Sequence, residues 1–395
     1  MSTQLKEAPA PRRKRFSGPE QRLSGLSLGK VLGLEVTLDP SWVLIFLLIT
    51  VSLFGSLVAD YPGLTAARYW VGAVSASLIF FGCLLLHELS HSWVAQARGI
   101  KVQGITLFFF GGVSRLREEP TKPLDEFLMA VVGPLMSGGL GILFIGLKSV
   151  LASGTLVTGL VGWLGFVNLA LAAFNLLPGF PLDGGRVLRA AAWGVTGNFA
   201  KATRMASWAG MAIAYLLILV GVVQAVFFNR VMNGLWVGFV GWFLLSAAQR
   251  SVARLDYDRV LDKLRVGDVM RTDVIRVSPD ETVERFVQEY VLRTGERCQM
   301  IADDNGNLLG LVTLHEVKHV PRESWPSTPL RDVMVPWERL RTTEPGDSLL
   351  DALDLMNSWG IHQLPVVEGT TLRGLVTRED LLRRLTVHLE VGKAR

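Results

Sequence analysis

Six uncharged runs dominate this chain: Trp42 to Ala59, Tyr69 to Leu86, Phe127 to Leu147, Thr155 to Leu177, Met205 to Phe228 and Val231 to Ala248. Each is at least 18 residues long, and a helix of about 20 apolar residues crosses the roughly 30 Å hydrocarbon core of a bilayer. Half of the 395 residues are hydrophobic and mean hydropathy is +0.36, which excludes an ordinary soluble protein of this size. After about residue 250 the composition turns rich in Asp, Glu, Arg and Thr. The expected fold is therefore a multi-pass α-helical membrane protein with six transmembrane helices, followed by a soluble module.

With six spans, both termini share one side with the loops 92 to 124 and 178 to 204. Those loops carry Arg98, Lys101, Arg115, Arg117, Lys122, Arg186, Arg189, Lys201 and Arg204, whereas the opposite side has only Arg68, Lys148 and Arg230. The positive-inside rule then makes the termini cytoplasmic and the location the cell membrane. The run RRKR at 12 to 15 sits in a basic tail, residues 1 to 26, without the layout of a signal peptide. It reads as a disordered, solvated tail that helps fix topology, in preference to a polybasic lipid or nucleic-acid contact, so no nucleic-acid partner is expected. Two cysteines, Cys83 and Cys298, give no disulfide framework.

The second run ends in HELSH, residues 87 to 91. On a helix, His87 and His91 share a face at i and i+4 and can reach one metal ion, with Glu88 beside them to take a proton from water. A bridge between neighbouring helices is the bland alternative, but it explains one histidine better than the triplet. A catalytic zinc site needs three protein ligands. The other histidines, His315, His319, His362 and His388, all lie in the soluble part, and Asp183 is the single carboxylate between Glu126 and Asp256. It stands in NLLPGFPLDGGR, where prolines and glycines must break the helix. Asp183 is thus the best third ligand, its competing reading being a turn residue that caps a helix beginning near Arg186.

Taken together, His87-Glu88-Leu89-Ser90-His91 and Asn175 to Gly184 resemble the paired signature of the site-2 proteases, the intramembrane zinc metalloproteases, over roughly residues 27 to 250. The resemblance implies one zinc ion per chain held by His87, His91 and Asp183, with Glu88 as the catalytic acid-base and Asn175 on the substrate backbone or the oxyanion. It also implies that GITLFFFGGVSRL, residues 104 to 116, forms a membrane-associated β-sheet whose edge, at Phe110, Gly111, Gly112 and Val113, pairs with an unwound substrate. GKVLGLEVTLDPSW, residues 29 to 42, is expected to add strands to that sheet. Gly133-Pro134 in the third run matches a family feature read as close packing or a kink, and Ser137 stands where the family usually has Asn.

The soluble module contains an internal duplication: GDVM at 267 to 270 returns as RDVM at 331 to 334, and GLVT at 310 to 313 returns at 374 to 377. Each copy reads strand, helix, strand, strand, helix, the second as LRTTEP, SLLDALDLMNSWG, QLPVVEG, RGLVT and EDLLRRL. This resembles a tandem CBS pair, a Bateman module of α/β fold, over residues 263 to 390 (copies 263 to 320 and 327 to 388), reached by a linker at 251 to 262. The resemblance implies adenine nucleotide (ATP, ADP or AMP) on Thr377 and Asp380, with Thr313 and Glu316 in the first copy, and pairing of two chains. A ligand-free dimerisation scaffold is the alternative.

The expected activity is therefore intramembrane proteolysis under CBS control. Its substrates would be single-pass membrane proteins, such as an anti-sigma or pro-sigma factor or a signal-peptide remnant. Two rival classes are a CBS-regulated channel or transporter, which has no use for a general base between zinc-spaced histidines, and an inactive binder of membrane proteins.

Overall fold

The computed structural model describes residues 25 to 384 except 32, 110, 117 to 118 and 370. The RRKR run and His388 lie outside them. The chain divides into two compact units, one ending at Leu255 and the other beginning at Asp256, and each is described by itself.

The first unit opens with the hairpin β1 (Leu26–Val31) and β2 (Leu34–Leu38), then α1 (Ser41–Asp60) and α2 (Ala66–Ala97), a second hairpin β3 (Val102–Phe108) and β4 (Gly111–Leu116), and α3 (Pro123–Val150), α4 (Leu156–Asn175), α5 (Asp183–Thr196), α6 (Phe199–Phe227) and α7 (Val231–Lys263). All but α5 among these helices are long and apolar enough to cross a membrane. Each contains one of the six apolar runs or nearly all of it. Local chemistry sets their starts. Asp39 accepts from the Ser41 amide at 2.9 Å to open α1, Pro123 opens α3 with Asp125 and Glu126 in its first turn, and Thr155 and Asn198 cap α4 and α6. The strands form one sheet in the order β1-β2-β3-β4, with β2 and β3 parallel and the outer pairs antiparallel. The Phe109 amide donates to Ser41 Oγ at 3.1 Å and its ring meets those of Trp236 and Phe239. The tip of the second hairpin is thereby anchored to both α1 and α7. The stretch 251 to 262, read as a linker, is helical as part of α7.

In the second unit, β5 (Arg276–Val277), β6 (Cys298–Ala302), β7 (Leu308–Thr313) and β8 (Val335–Pro336) form one sheet, and β9 (Gln363–Glu368) pairs with β10 (Thr371–Thr377). The duplicated motifs are explained by exchange between the copies. The opening segment of each copy completes the other: Val335 pairs with Leu311, and 64 positions earlier Arg271 bridges Leu375. Val266 is buried in the core of the second copy and Leu330 in that of the first. This exchange accounts for the glycine of each GLVT. A Cβ on Gly310 would stand 2.3 Å from the Val335 carbonyl oxygen, and one on Gly374 2.5 Å from that of Arg271. One expected element is absent: LRTTEP, residues 340 to 345, makes a single parallel bridge, Thr343 to Val366, rather than a strand. Asp347 Oδ2 accepts from the Thr343 hydroxyl and the Glu344 amide, both at 2.9 Å, so a side-chain turn replaces the ladder there.

Candidate metal centre

Helix α2 continues past the apolar run to Ala97, so HELSH lies within the helix with His87, Glu88 and His91 all buried. The Nε2 atoms of His87 and His91 are 3.2 Å apart, and each is 3.2 Å from Asp183 Oδ2. Zinc bonds of about 2.0 to 2.1 Å in a tetrahedron set donor separations of roughly 3.3 to 3.4 Å, so this equilateral triangle fits such an ion and leaves the fourth vertex free. Among the described residues this is the one group of three or more metal-type side chains drawn together in this way.

The imidazoles are held from α3. His91 Nδ1 donates to the Met129 carbonyl at 2.5 Å; because a carbonyl can only accept, Nδ1 carries a proton, and the neutral ring then turns the Nε2 lone pair to the triangle. His87 Nδ1 lies 2.9 Å from Ser137 Oγ, which is fully buried. Gly133 lies between these partners. A Cβ there would be 2.2 Å from His91 Nε2 and 2.7 Å from His87 Nε2, so the site requires a bare backbone at this position. The sequence reading gave Gly133 packing or a kink; the structure assigns it the clearance in front of the two donor nitrogens.

Asp183 is the first residue of α5, while Leu182 occupies the N-cap position without a side-chain cap bond. The helix begins three residues before Arg186. The turn before it is packed so closely that a Cβ on Gly184 would stand 2.3 Å from the Leu176 carbonyl oxygen, and the Phe180 amide donates to Ala206 of α6 at 3.1 Å. These contacts turn the Asp183 carboxylate to the histidines rather than to the helix end.

Glu88 faces the sheet. Ser114 Oγ on β4 donates to Glu88 Oε2 at 3.2 Å and lies 3.0 Å from Ser92 Oγ. A Cβ on Gly112 would come within 2.3 Å of Glu88 Cγ, so β4 packs directly on the carboxylate through a glycine. Gly111, Gly112 and Val113 all lie on β4, and Val113 is exposed; Phe110 falls outside the described residues. Among the described strands β4 pairs with β3 alone. Asn175 ends α4 half-buried, and among the described residues no hydrogen bond joins it to the triangle. Ser114, Met129 and Ser137 had no assigned role in the sequence reading.

In the second unit, Thr377 Oγ1 donates to Asp380 Oδ2 at 2.7 Å, while Asp380 Oδ1 accepts from Arg271 Nη2 at 3.0 Å and Nε at 3.2 Å. Thr377 and Arg271 line a cavity of about 600 Å³ together with Arg378, His362 and Cys298. Burial pushes the Cys298 thiol up to about 12, so it is inert at neutral pH. In the first copy Thr313 donates to Glu316.

Comparison with known proteins matches these units to two families. The model of peptidase family M50 matches residues 75–154 and 148–219, and that of the CBS domain matches 266–323 and 330–387. Rip3 of Mycobacterium tuberculosis, named as a candidate zinc metalloprotease, is 33% identical over 367 residues, covering 92% of this chain and 93% of its own. The zinc metalloprotease MJ0392 of Methanocaldococcus jannaschii is 26% identical over 362 residues, covering 92% and 96%. The solved site-2 protease from Methanocaldococcus jannaschii aligns with a TM-score of 0.42 at 26% identity, over 57% of this chain and 94% of that one.

Proposed function

The chain belongs to peptidase family M50, the site-2 type zinc metalloproteases, and from that premise we propose that it cuts the apolar segments of single-pass membrane proteins near the cytoplasmic face, under control of its CBS pair. The observation that carries the reading is the 3.2 Å triangle of His87, His91 and Asp183 with Glu88 buried on the same helix. A channel or transporter has no use for that arrangement.

Zinc, when bound, supplies a Lewis acid that polarises the scissile carbonyl and eases deprotonation of water. The chain's own residues do the rest. Glu88, oriented by Ser114, takes a proton from the attacking water as its oxygen bonds to the carbonyl carbon. It then delivers that proton to the amide nitrogen as the C–N bond breaks. A helical substrate hides its peptide bonds in internal hydrogen bonds, so it must unwind first. The outer edge of β4, at Gly111, Gly112 and Val113, offers backbone partners beside Glu88 that offset this loss. Asn175 is assigned to the substrate backbone or the oxyanion, since a side-chain amide suits that task. The Lys and Arg distribution supports a cytoplasmic side for both termini, and with them the CBS pair. Candidate substrates are membrane-anchored transcription regulators of anti-sigma or pro-sigma type and signal-peptide remnants. Purified protein is expected to carry about one zinc per chain and to lose cleavage of a reconstituted single-pass substrate on chelation, regaining it with added zinc. Zinc-free protein that still cleaves would overturn the reading.

For the CBS pair, the cavity lined by Thr377 and Arg271, both hydrogen-bonded to Asp380, supports adenine nucleotide binding, with Thr377 on phosphate and Asp380 on ribose. Asp380 is engaged by Arg271, so nucleotide entry exchanges that partner for ribose hydroxyls. Titration calorimetry with AMP, ADP and ATP is expected to show binding that weakens at least about tenfold in Asp380→Ala, the cost of one lost charge-assisted hydrogen bond. Equal binding by both proteins would remove Asp380 from the site, and binding by neither would leave the pair as a ligand-free scaffold through which two chains associate.

A further inference from the structure

Helix α3 supports two of the three donors directly, through Met129 for His91 and Ser137 for His87. Four residues before Gly133 comes Met129, and three before that Glu126, so Glu126, Gly133 and Ser137 recur at helical spacing on one face. Glu126 is fully buried. Its Oε1 accepts from Arg189 Nε of α5 at 2.5 Å and from Arg189 Nη2. The Arg189 guanidinium carbon lies over two rings, 4.7 Å from the centroids of both Phe180 and Phe199. Phe180 precedes Asp183 by three residues and Arg189 follows it by six, so one planar cation grips the chain on both sides of the third donor and ties it to α3.

We infer that Arg189 and Glu126 are positioning residues that hold Asp183 in the donor triangle, so that α3 sets the placement of all three donors. A buried ion pair contributes little net stability because both charges lose their water, and its value here lies in direction. Two nitrogens of a planar fork on one carboxylate oxygen, with two rings against the same guanidinium, fix the rotation of α5 about α3 and with it the aim of Asp183. Lysine would preserve the charge but not the planar fork against the rings.

The inference rests on the zinc reading above, and its test separates the two. Zinc affinity of the full-length, detergent-solubilised chain would be measured by chelator competition, with the visible spectrum of the cobalt-substituted protein reporting the ligand set. Wild type that binds no zinc sinks the site reading itself, and this inference with it. Given binding, Arg189→Lys is expected to weaken zinc by roughly 10- to 100-fold, the range for outer partners of metal ligands, and to shift the cobalt spectrum towards that of Asp183→Asn. Phe180→Leu, which leaves the ion pair in place, is expected to move both readouts in the same direction, and it decides the question if Arg189→Lys does not fold. In an Asp183→Asn background, Arg189→Lys is expected to add little further loss, because both act through one donor. Unchanged zinc affinity in Arg189→Lys and Phe180→Leu would overturn the inference. So would a loss that adds in full to that of Asp183→Asn, since it would show general loosening rather than positioning of Asp183.

Discussion

Gly133→Ala is expected to give a folded membrane protein that fails to hold zinc, with cleavage reduced on the order of 100-fold or more. The sign of the effect isolates its cause. Inside a helix, alanine is favoured over glycine by about 1 kcal/mol, so helix propensity alone would improve α3. The added methyl, however, would stand 2.2 Å from His91 Nε2, and neither imidazole can retreat without giving up Met129 or Ser137. The two donor nitrogens must spread, and the triangle opens. Metal analysis of the purified variant checks this directly: a full complement of zinc in Gly133→Ala would show that the helices yield at no cost to the site.

Glu88→Gln is expected to do the opposite, keeping zinc while losing about 10²- to 10⁴-fold in cleavage rate, the range for removal of a positioned acid-base. Glutamine has the same shape and can still accept from Ser114, and Glu88 is not one of the three donors. What disappears is the group that carries the proton from water to the leaving nitrogen. Substrate binding along β4 should survive, so the deficit should fall on turnover rather than on KM. A variant that retains more than about a tenth of the wild-type rate would contradict the role of Glu88 as acid-base.

These two residues also show what could be read from the sequence. Glu88 was legible because a helix converts the local spacing of HELSH into a shared face, and the elimination that left Asp183 needed only the scarcity of carboxylates between Glu126 and Asp256. Gly133 was visible as a family feature, but its task was not, because it acts by lacking an atom and its neighbour Met129 acts through its backbone carbonyl. Neither leaves a trace in side-chain chemistry. Glu126 and Arg189 lie 63 residues apart and meet only through the packing of α3 and α5. The same division holds in the second unit. The GDVM and GLVT repeats disclosed a duplication, yet the reason for Gly310 and Gly374, contact with the opening segment of the other copy, is tertiary. At 251 to 262, SVARLDYDRVLD turns polar but holds no proline or glycine, so α7 continues where the apolar run ends and the stretch between the units is helical.

The central claim is that the polar triplet lies in a membrane helix because the bond it cuts lies in or near the membrane. The most direct test compares the membrane proteome of the native host carrying wild-type protein with that of one carrying Glu88→Gln. Single-pass fragments with an intact apolar segment should accumulate in the variant alone and should disappear when wild-type protein is restored, identifying the substrates at the same time. Identical proteomes, from a wild-type protein shown to carry its zinc, would contradict the claim and leave a metal-binding membrane protein that does not cut.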